Sequence, residues 1–522
     1  MAAIGRTAVV IGGGVAGLAC AALLARDGYR VTLLEQNAEF GGRAASWEHD
    51  GFRFGTGASW YPMPEAVDHF FRLLGTSAAE QLDLVQLDPG YRVFGGGGHD
   101  GGHGYLDIAA DVGENIELFE RVERGAGARL ARYLDEGAQA RRIARDRLLY
   151  RPVSSADPRN SPALAREAMG AGRRLGSLLL APLSRLIDRT AKNPGLRQAL
   201  GAPFWLLGSP PGRAPGMYSM LSHADLAQGV LYPIGGLSRV VSAIQALAVA
   251  AGAELRPGMT VRRILTEKGA ATGVEVADAE GSLSFIDAEL VVSTVDLHHS
   301  ETVLLADEAD RSYPQDYWDG RTPGPGAVLL LLGVTGELPE LEHHSVLFGP
   351  GQRDPEAPPL YVGKPSGVDP QLAPDGAETL VIVIPVPADP ALGRGGVDGN
   401  GDAAIEALAD AAIEQISAAA GIPDLAARVV LRCTLGPADF VDRFNSWNGG
   451  AYGTPLSLRQ SVVVRAGNAS SKVRGLYLAG SSTTPGLGLP GCLIGAELLV
   501  KRLRGDSSAG PLPEPLQATH LR

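Results

Sequence analysis

Four residues near the amino terminus have the types and spacing that bind the phosphates of a dinucleotide. Gly12, Gly14 and Gly17 form a GxGxxG motif directly after a short apolar run, and Glu35 follows 18 residues after the last glycine. In this motif the first glycine permits a tight turn, the second lets the backbone approach a pyrophosphate, and the third lets a helix pack closely on a strand. The helix amino terminus then offers N–H groups to the phosphates, and the acidic residue reaches a ribose hydroxyl. The spacing therefore predicts a nucleotide site on a strand–turn–helix–strand unit.

A second group of glycines lies near the carboxyl end of the sequence. An apolar run over residues 475–480 ends in Gly480, and a loop rich in glycine and proline leads to an apolar segment over residues 493–503. A helix that begins at this loop would place N–H donors beside a bound nucleotide. Because sheets of this kind can close late in the sequence, we expect both ends of the chain to meet at one site.

Five segments of the sequence resemble the bacterial phytoene desaturase and carotenoid desaturase family, within the amine-oxidase-like flavoproteins. The resemblance is carried by residues 41–57, 218–236, 291–296, 440–461 and 481–492, and it extends from about residue 6 to about residue 504. It implies FAD as the cofactor and dehydrogenation of phytoene or a related carotenoid precursor as the reaction. In such a reaction the flavin N5 accepts a hydride.

The motifs and the resemblance together assign a set of FAD contacts and a candidate proton acceptor. The predicted cofactor-binding residues are Gly12, Gly14, Val15, Ala16, Gly17, Glu35, Gly42, Arg43, Gly57, Ala58, Val261, Gly480, Thr483, Gly491 and Cys492. Asp225 is the candidate catalytic residue, because related sequences carry an acid there. The alternative interpretation of Asp225 is an exposed aspartate on a helix. Cys492 is expected to be a small buried thiol rather than a covalent tether of the flavin.

The order of these segments predicts an α/β fold of three parts. We expect a Rossmann-type FAD-binding domain that is discontinuous in sequence, a mixed-sheet substrate domain and a helical membrane-associating subdomain. The predicted boundaries are 1–75, 226–300 and 461–504 for the FAD-binding domain, 76–120 and 301–460 for the substrate domain, and 121–225 for the helical segment. Residues 505–522 contain three prolines and little periodicity, so we expect a disordered tail.

Charge restricts the partners of the protein. The 46 Lys and Arg residues against 58 Asp and Glu residues give a net charge of −12, which argues against nucleic acid as a partner. Residues 121–200 are different, because they carry 17 Arg and Lys residues against 7 Asp and Glu residues, with apolar residues between them. This pattern suits an anionic membrane surface, and a solvated basic helix face would give the same pattern. Because carotenoids are insoluble in water, we expect a cytoplasmic protein that associates peripherally with the cell membrane.

Other patterns bear on the compartment and on the electron acceptor. Apolar runs such as residues 327–332 are far shorter than the ~18 residues that span a bilayer, so we expect neither a secreted nor a membrane-spanning protein. Three widely separated cysteines without a CxxC motif indicate a reducing compartment. No second GxGxxG motif follows an apolar run, which disfavours a pyridine nucleotide as the acceptor. A quinone or O₂ is expected instead, and the quinone is preferred because it shares the membrane with the substrate.

Several other functions remain open or are disfavoured. His298-His299 and His343-His344 are adjacent pairs without a carboxylate partner at helical spacing, so no metal site is predicted. Within enzymes, the alternative is an oxidase or isomerase that acts on an already desaturated carotenoid. A non-catalytic, flavin-containing carotenoid-binding protein is the alternative from another class. An amine oxidase is disfavoured.

Overall fold

A computed structural model describes residues 5–57, 59–95, 104–152, 181–205, 207–349, 358–457, 465–486 and 488–518 of the 522-residue chain. The strands are β1 (Thr7–Ile11), β2 (Arg30–Leu34), β3 (Ser46–His49), β4 (Phe52–Gly55), β5 (Leu84–Leu87), β6 (Tyr91–Phe94), β7 (Tyr105–Ile108), β8 (Val230–Pro233), β9 (Glu254–Arg256), β10 (Thr260–Glu267), β11 (Ala270–Ala277), β12 (Leu283–Asp287), β13 (Leu290–Ser293), β14 (Gly326–Thr335), β15 (His344–Leu347), β16 (Leu360–Gly363), β17 (Ala377–Val386), β18 (Val429–Leu435) and β19 (Leu476–Leu478). Helices of four or more residues are α1 (Val15–Arg26), α2 (Pro64–Leu73), α3 (Ala78–Gln81), α4 (Val112–Val122), α5 (Ala126–Ile143), α6 (Leu183–Thr190), α7 (Pro194–Trp205), α8 (Ser219–Gln228), α9 (Leu237–Ala250), α10 (Gln315–Asp319), α11 (Ala403–Ala420), α12 (Leu425–Arg428), α13 (Pro437–Phe444) and α14 (Gly488–Arg504). A π-helical turn, Ala144–Leu149, extends α5.

A five-stranded parallel sheet carries the predicted nucleotide unit. Its strand order is β19-β13-β1-β2-β9, so strands from both ends of the chain lie side by side. The central strand β1 is buried at Ala8–Ile11, as expected for a parallel strand that is covered on both faces. Helices α1, α9 and α14 pack together over this sheet. The predicted discontinuous α/β sheet is therefore present in the structure.

The second large sheet is mixed and has seven strands. Its order is β18-β14-β17-β16-β15-β6-β7, and only the β15–β6 pair is parallel. The long strand β14 is apolar and buried from Gly326 to Val334, because α11 covers one face and the side chains of β4 reach the other. Strands β6 and β7, at the edge of this sheet, form an antiparallel pair.

A layer of helices, α4 to α8, shares one apolar core with β6 and β7. Helices α5 and α8 pack closely, since a Cβ on Gly137 would lie 2.7 Å from the carbonyl oxygen of Ser219. Residues 153–180 of the predicted helical segment lie outside the described residues. Among the helices that are described, none combines the length and the apolar character needed to cross a membrane.

The predicted disorder of the tail is wrong for its described part, residues 505–518. Leu512 and Leu516 are buried in the same core as the parallel sheet. The backbone N–H of Leu516 donates to α2, and the buried ammonium of Lys501 donates to carbonyl groups of the tail. The segment packs on the core without regular secondary structure. A sequence that lacks helical or strand periodicity does not distinguish such a packed segment from a disordered one.

Candidate active site

The loop after β1 and the turn at Gly41–Gly42 form a narrow backbone cradle. Gly12 has φ +98°, a left-handed conformation that glycine adopts freely. A Cβ on Gly17 would lie 1.8 Å from the carbonyl oxygen of Gly12, so only glycine lets α1 start this close to β1. A Cβ on Gly42 would lie 3.3 Å from the Cα of Gly14, so side chains here would fill the gap between the two segments. The bare backbone and the amino terminus of α1 fit the diphosphate of a dinucleotide.

Glu35 closes one side of this cradle at the carboxyl end of β2. Its side chain is buried, and its carboxylate accepts hydrogen bonds from the backbone N–H groups of Gly13 (2.6 Å) and Asn37 (2.9 Å). The amide of Asn37 also donates to the same carboxylate at 2.6 Å. An ionised carboxylate has about four acceptor positions, so these bonds fix Glu35 and leave one position for a ribose hydroxyl.

Arg43 enters the same cleft from the short 3₁₀ turn that follows Gly42. Its Nη2 donates to the hydroxyl of Ser446 at 2.6 Å, and its guanidinium lies 5.6 Å from the ring centre of Phe444. Burial lowers the pKa of Arg43, and the nearby carboxylate of Asp296 acts in the opposite direction. The buried Nε has no hydrogen-bond partner in the described part of the protein, so Arg43 retains a donor for an anionic group in the cleft.

The carboxyl-terminal loop forms the opposite wall of the cleft. It leaves β19 at Gly480 and leads to α14, where a Cβ on Gly491 would lie 2.4 Å from the carbonyl oxygen of Gly486. This close approach folds the loop back on the first turn of the helix. Burial raises the pKa of the Cys492 thiol to about 11, so the thiol is protonated at neutral pH.

One continuous cleft joins these two walls. Among the residues predicted to bind the cofactor, those that line the cleft are Gly12, Gly14, Val15, Ala16, Glu35, Gly42, Arg43, Gly57, Val261, Gly480, Gly491 and Cys492. Two others lie behind its surface: Gly17 packs on Gly12, and the hydroxyl of Thr483 donates to the carbonyl of Gly480 at 3.0 Å. Thr483 therefore shapes the loop rather than facing the cleft. Ala58 lies outside the described residues.

Beyond the cradle, the helical layer supplies an apolar half of the cleft. The side chains that define this apolar half are Leu148, Leu149, Leu207, Met217, Met220, Leu221, Ala224 and Ile494. They come from the π-helical turn, from the segment around α8 and from α14, which are far apart in sequence. This half of the cleft excludes water and suits a hydrocarbon chain.

Asp225 lies in the wall of the apolar half, on α8. The residue is only 7% exposed, so it is not the exposed helix aspartate of the alternative interpretation. The indole N–H of Trp60 donates to its Oδ1 at 3.3 Å. Burial raises the pKa of Asp225 to about 7, and the bond from Trp60 lowers it by a smaller amount. A carboxyl group with a pKa near the working pH is suited to general acid–base catalysis.

His344 packs against Trp60, and the sequence gives no indication of this contact. The ring of His344 stacks on Trp60 with 4.3 Å between ring centres, and its Nδ1 is 2.8 Å from the hydroxyl of Tyr361. Burial lowers the pKa of His344 well below its usual value, so the imidazole is neutral. In the sequence, His343 and His344 are candidates only for metal ligands, and no spacing connects them with Trp60.

The sequence profile of a known family matches most of the chain. The family is described as flavin containing amine oxidoreductase, and the match covers residues 15–499. A carotenoid 3,4-desaturase of Haloarcula japonica is 34% identical over 514 residues, which are 96% of this chain and 99% of that protein. A zeta-carotene-forming phytoene desaturase of Myxococcus xanthus is 31% identical, over 96% of this chain and 94% of that protein.

Solved structures share the fold at low sequence identity. An oxidoreductase from Methanosarcina mazei superposes with a TM-score of 0.63 at 18% identity, over 95% of this chain and all of that chain. Putrescine oxidase bound to putrescine superposes with a TM-score of 0.58 at 15% identity, over 96% of this chain and 99% of that chain. Identities this low show a common fold and leave the substrate to be argued from the site.

Proposed function

The chain belongs to the flavin-containing amine oxidoreductase family, and we propose that it is an FAD-dependent desaturase of phytoene or a related carotenoid precursor. Its cofactor is FAD, and its class is that of oxidoreductases that act on CH–CH groups. The relatives named as carotenoid and phytoene desaturases match nearly the whole chain. The observation that carries the proposal is that the nucleotide cradle and the apolar half form one cleft, with the buried carboxyl of Asp225 in its wall.

The mechanism assigns a role to each part of this cleft. FAD, when bound, supplies an N5 atom that accepts a hydride and a ring system that delocalises the charge. The side chains of the apolar half hold the hydrocarbon and exclude water, which would otherwise trap a developing allylic cation. Asp225 accepts the proton from the neighbouring carbon. One C–H bond thus loses a hydride, the adjacent C–H bond loses a proton, and the electron pair of the second bond forms the new double bond.

One comparison supports a second candidate substrate. A carotenoid 3,4-desaturase is among the similar proteins, so an already desaturated carotenoid could enter the same cleft, for desaturation or as the substrate of an oxidase or isomerase. The side chains that define the apolar half are all hydrophobic and suit either hydrocarbon. Flavin reduction by the two kinds of carotenoid therefore decides between the two substrates.

Anaerobic mixing of the FAD-loaded protein with carotenoids in liposomes tests the function. We expect phytoene to bleach the visible absorbance of oxidised flavin, with a more desaturated product in the lipid extract. Bleaching by lycopene but not by phytoene would favour the second candidate. Binding of either compound without bleaching would indicate a carrier and contradict the proposed function. In a separate assay with O₂ present, peroxide formation from a soluble amine without lipid would indicate an amine oxidase.

We propose that the protein acts at the surface of the cell membrane. The exposed arginines Arg142, Arg145 and Arg147 immediately precede Leu148 and Leu149, which line the apolar half. A basic surface beside the apolar wall of the cleft suits an anionic lipid headgroup region, with roughly 1 kcal/mol for each cation near the surface. Cosedimentation with anionic and neutral vesicles tests this. We expect binding to anionic vesicles alone, with the triple replacement of these arginines by glutamine weakening it at least tenfold.

We propose a quinone as the electron acceptor. The sequence offers one dinucleotide motif, which disfavours a pyridine nucleotide as the acceptor. A lipid-soluble quinone would meet the reduced enzyme at the membrane. The test is to mix the photoreduced protein in liposomes with a quinone or with O₂. At least tenfold faster flavin reoxidation by the quinone is expected, and faster reoxidation by O₂ would contradict the assignment.

A further inference from the structure

A fully buried arginine, Arg465, lies directly behind the carboxyl-terminal loop of the cleft. It is 1% exposed. Its Nη1 donates to the carbonyl oxygen of Ser481 at 3.0 Å, and its Nη2 donates to the carbonyl oxygen of Thr454 at 2.6 Å. A third, longer contact joins Nη2 to the carbonyl of Pro455 at 3.4 Å, and the buried Nε has no partner in the described residues. Within the described residues, the Arg465 cation therefore interacts with backbone carbonyl groups and has no carboxylate as a counter-ion.

An unbalanced buried cation is unfavourable for folding. Removing a charge from water costs several kcal/mol unless hydrogen bonds and an opposite charge compensate it. Burial lowers the pKa of Arg465 to about 10, so the side chain still carries its charge at neutral pH. The mechanism above gives Arg465 no role, and a charge kept at such a cost suggests that a negative charge arrives near it during function.

The location of Arg465 indicates which negative charge this is. The Nε atom lies 3.8 Å from the position that a Cβ on Gly486 would take, and Tyr218 is near enough to raise the pKa of Arg465. Gly486 and Tyr218 both line the cleft, and Tyr218 follows Met217 of the apolar half. Arg465 therefore approaches the cleft where it passes into the apolar half. Arg43 lies in the cradle of the diphosphate instead.

With FAD bound, hydride transfer would create a negative charge at that passage. A hydride can move from the hydrocarbon only if the flavin ring lies beside the apolar half. The hydride adds two electrons and one proton to the ring, so the ring gains one negative charge. We propose that Arg465 stabilises the negative charge of the two-electron-reduced flavin and thereby raises the reduction potential of the bound FAD. This inference depends on FAD binding and is independent of which carotenoid is the substrate.

The reduction potential of the FAD-loaded full-length protein tests the proposal without any substrate. Arg465→Gln and Arg465→Met remove the charge, and Arg465→Lys retains it. Arg321→Gln is the matched control, because Arg321 is half-buried and stacks on Tyr317 at 4.0 Å, in the neighbourhood of Arg465 but outside the cleft lining. Each protein is reduced slowly in the presence of a reference dye.

We expect the two uncharged variants to lose at least tenfold in the stabilisation of reduced over oxidised flavin, which is about 30 mV for a two-electron couple. The reduction potentials of the lysine variant and of the Arg321 control should differ from the wild-type potential by less than a third of this shift. An unchanged potential in an uncharged variant that binds FAD would overturn the proposal. Weaker binding of oxidised FAD with an unchanged potential would also overturn it, because the charge would then serve the diphosphate.

The wild-type protein provides a second measurement, which is decisive if the uncharged variants do not fold. The reduced flavin is titrated with acid, and its spectrum reports the uptake of the next proton. A nearby cation disfavours this protonation, so we expect it at least one pH unit lower than for free reduced FAD in the same buffer. Protonation at the same pH as free reduced FAD, or higher, would overturn the proposal.

Discussion

At the scale of single residues, Asp225 must ionise to accept a proton, but its burial opposes ionisation. Burial raises the pKa of Asp225 from 3.8 to about 7, so the folded protein binds this proton more tightly than the unfolded chain does. Stability is therefore lost as the pH rises from about 4 to about 7. The ionised form that accepts a proton is the form that the fold tolerates least, which is a known compromise at active sites.

Replacing Asp225 by asparagine should separate these two effects. We expect the rate constant of flavin reduction by substrate to fall by about 10²- to 10⁴-fold, because the proton loses its acceptor. Above pH 7 the variant should unfold at a higher denaturant concentration than the wild type, with a gain of up to about 4 kcal/mol. Stopped-flow reduction and urea titration measure the two effects. Asp135→Asn, on the exposed face of α5, is the control that should change neither.

Trp60 supplies the hydrogen bond that favours the ionised form of Asp225. Trp60→Phe removes the indole N–H and keeps an aromatic ring against His344. Hydrogen bonds to charged groups contribute about 1.5–3 kcal/mol, so the pH at which flavin reduction reaches half of its maximal rate should rise by about one unit. A downward shift, or none, would show that this bond does not control the titration of Asp225.

At the scale of elements, the cradle depends on two glycines for different reasons. A Cβ on Gly17 would collide with the backbone of the same unit, whereas a Cβ on Gly14 would meet no protein atom closer than 4.0 Å and would enter the cleft. Gly17 thus serves the packing of α1 on β1, and Gly14 serves the approach of the nucleotide.

This difference predicts distinct outcomes for two similar substitutions. Gly14→Ala should leave the thermal unfolding of the FAD-free protein nearly unchanged and weaken FAD binding at least tenfold. Gly17→Ala should lower the unfolding temperature of the FAD-free protein by several degrees, since the steric clash costs a few kcal/mol. Calorimetry and FAD titration give both values. Equal destabilisation by the two substitutions would contradict the assignment.

At the scale of the whole molecule, the tail over residues 505–518 fastens the carboxyl end to the parallel-sheet core. His69 on α2 bonds at 3.0 Å to Glu497 of α14, and its other ring nitrogen bonds to Glu514 of the tail. Burial alone would lower the pKa of His69, but the bonds to the two carboxylates outweigh it and raise the pKa. The charged imidazolium therefore stabilises the attachment fully below pH 6.5, and this contribution is lost as the pH rises through the raised value.

Proteolysis of the tail should report this titration. We expect cleavage within residues 505–518 to become faster as the pH rises above 6.5, measured by pulsed digestion and mass spectrometry with a protease of constant activity over the range. His69→Gln should cleave at the faster rate throughout. A wild-type rate that is independent of pH, or that falls with rising pH, would contradict the role of His69.

The sequence predicts the parallel sheet and its nucleotide cradle better than it predicts the rest of the site. The motif from Gly12 to Glu35 specifies local geometry, and short buried strands are easily identified, so the sheet and most of the cradle follow from spacing. The stacking of His344 on Trp60 and the burial of Asp225 arise from contacts between distant segments, which spacing does not encode. The packing of the tail cannot be predicted for the same reason, because Leu512 and Leu516 are buried without any periodic pattern in the sequence.

The strand order of the parallel sheet also sets the timing of biogenesis. Strand β19 pairs with β13, so the wall that begins at Gly480 is synthesised long after the β1–α1 turn. A nascent chain can form the β1–α1 turn early, yet it has no second wall to retain a flavin. A flavin that meets the chain before β19 pairs with β13 has only one wall to bind, so we expect stable retention of the cofactor only after this pairing.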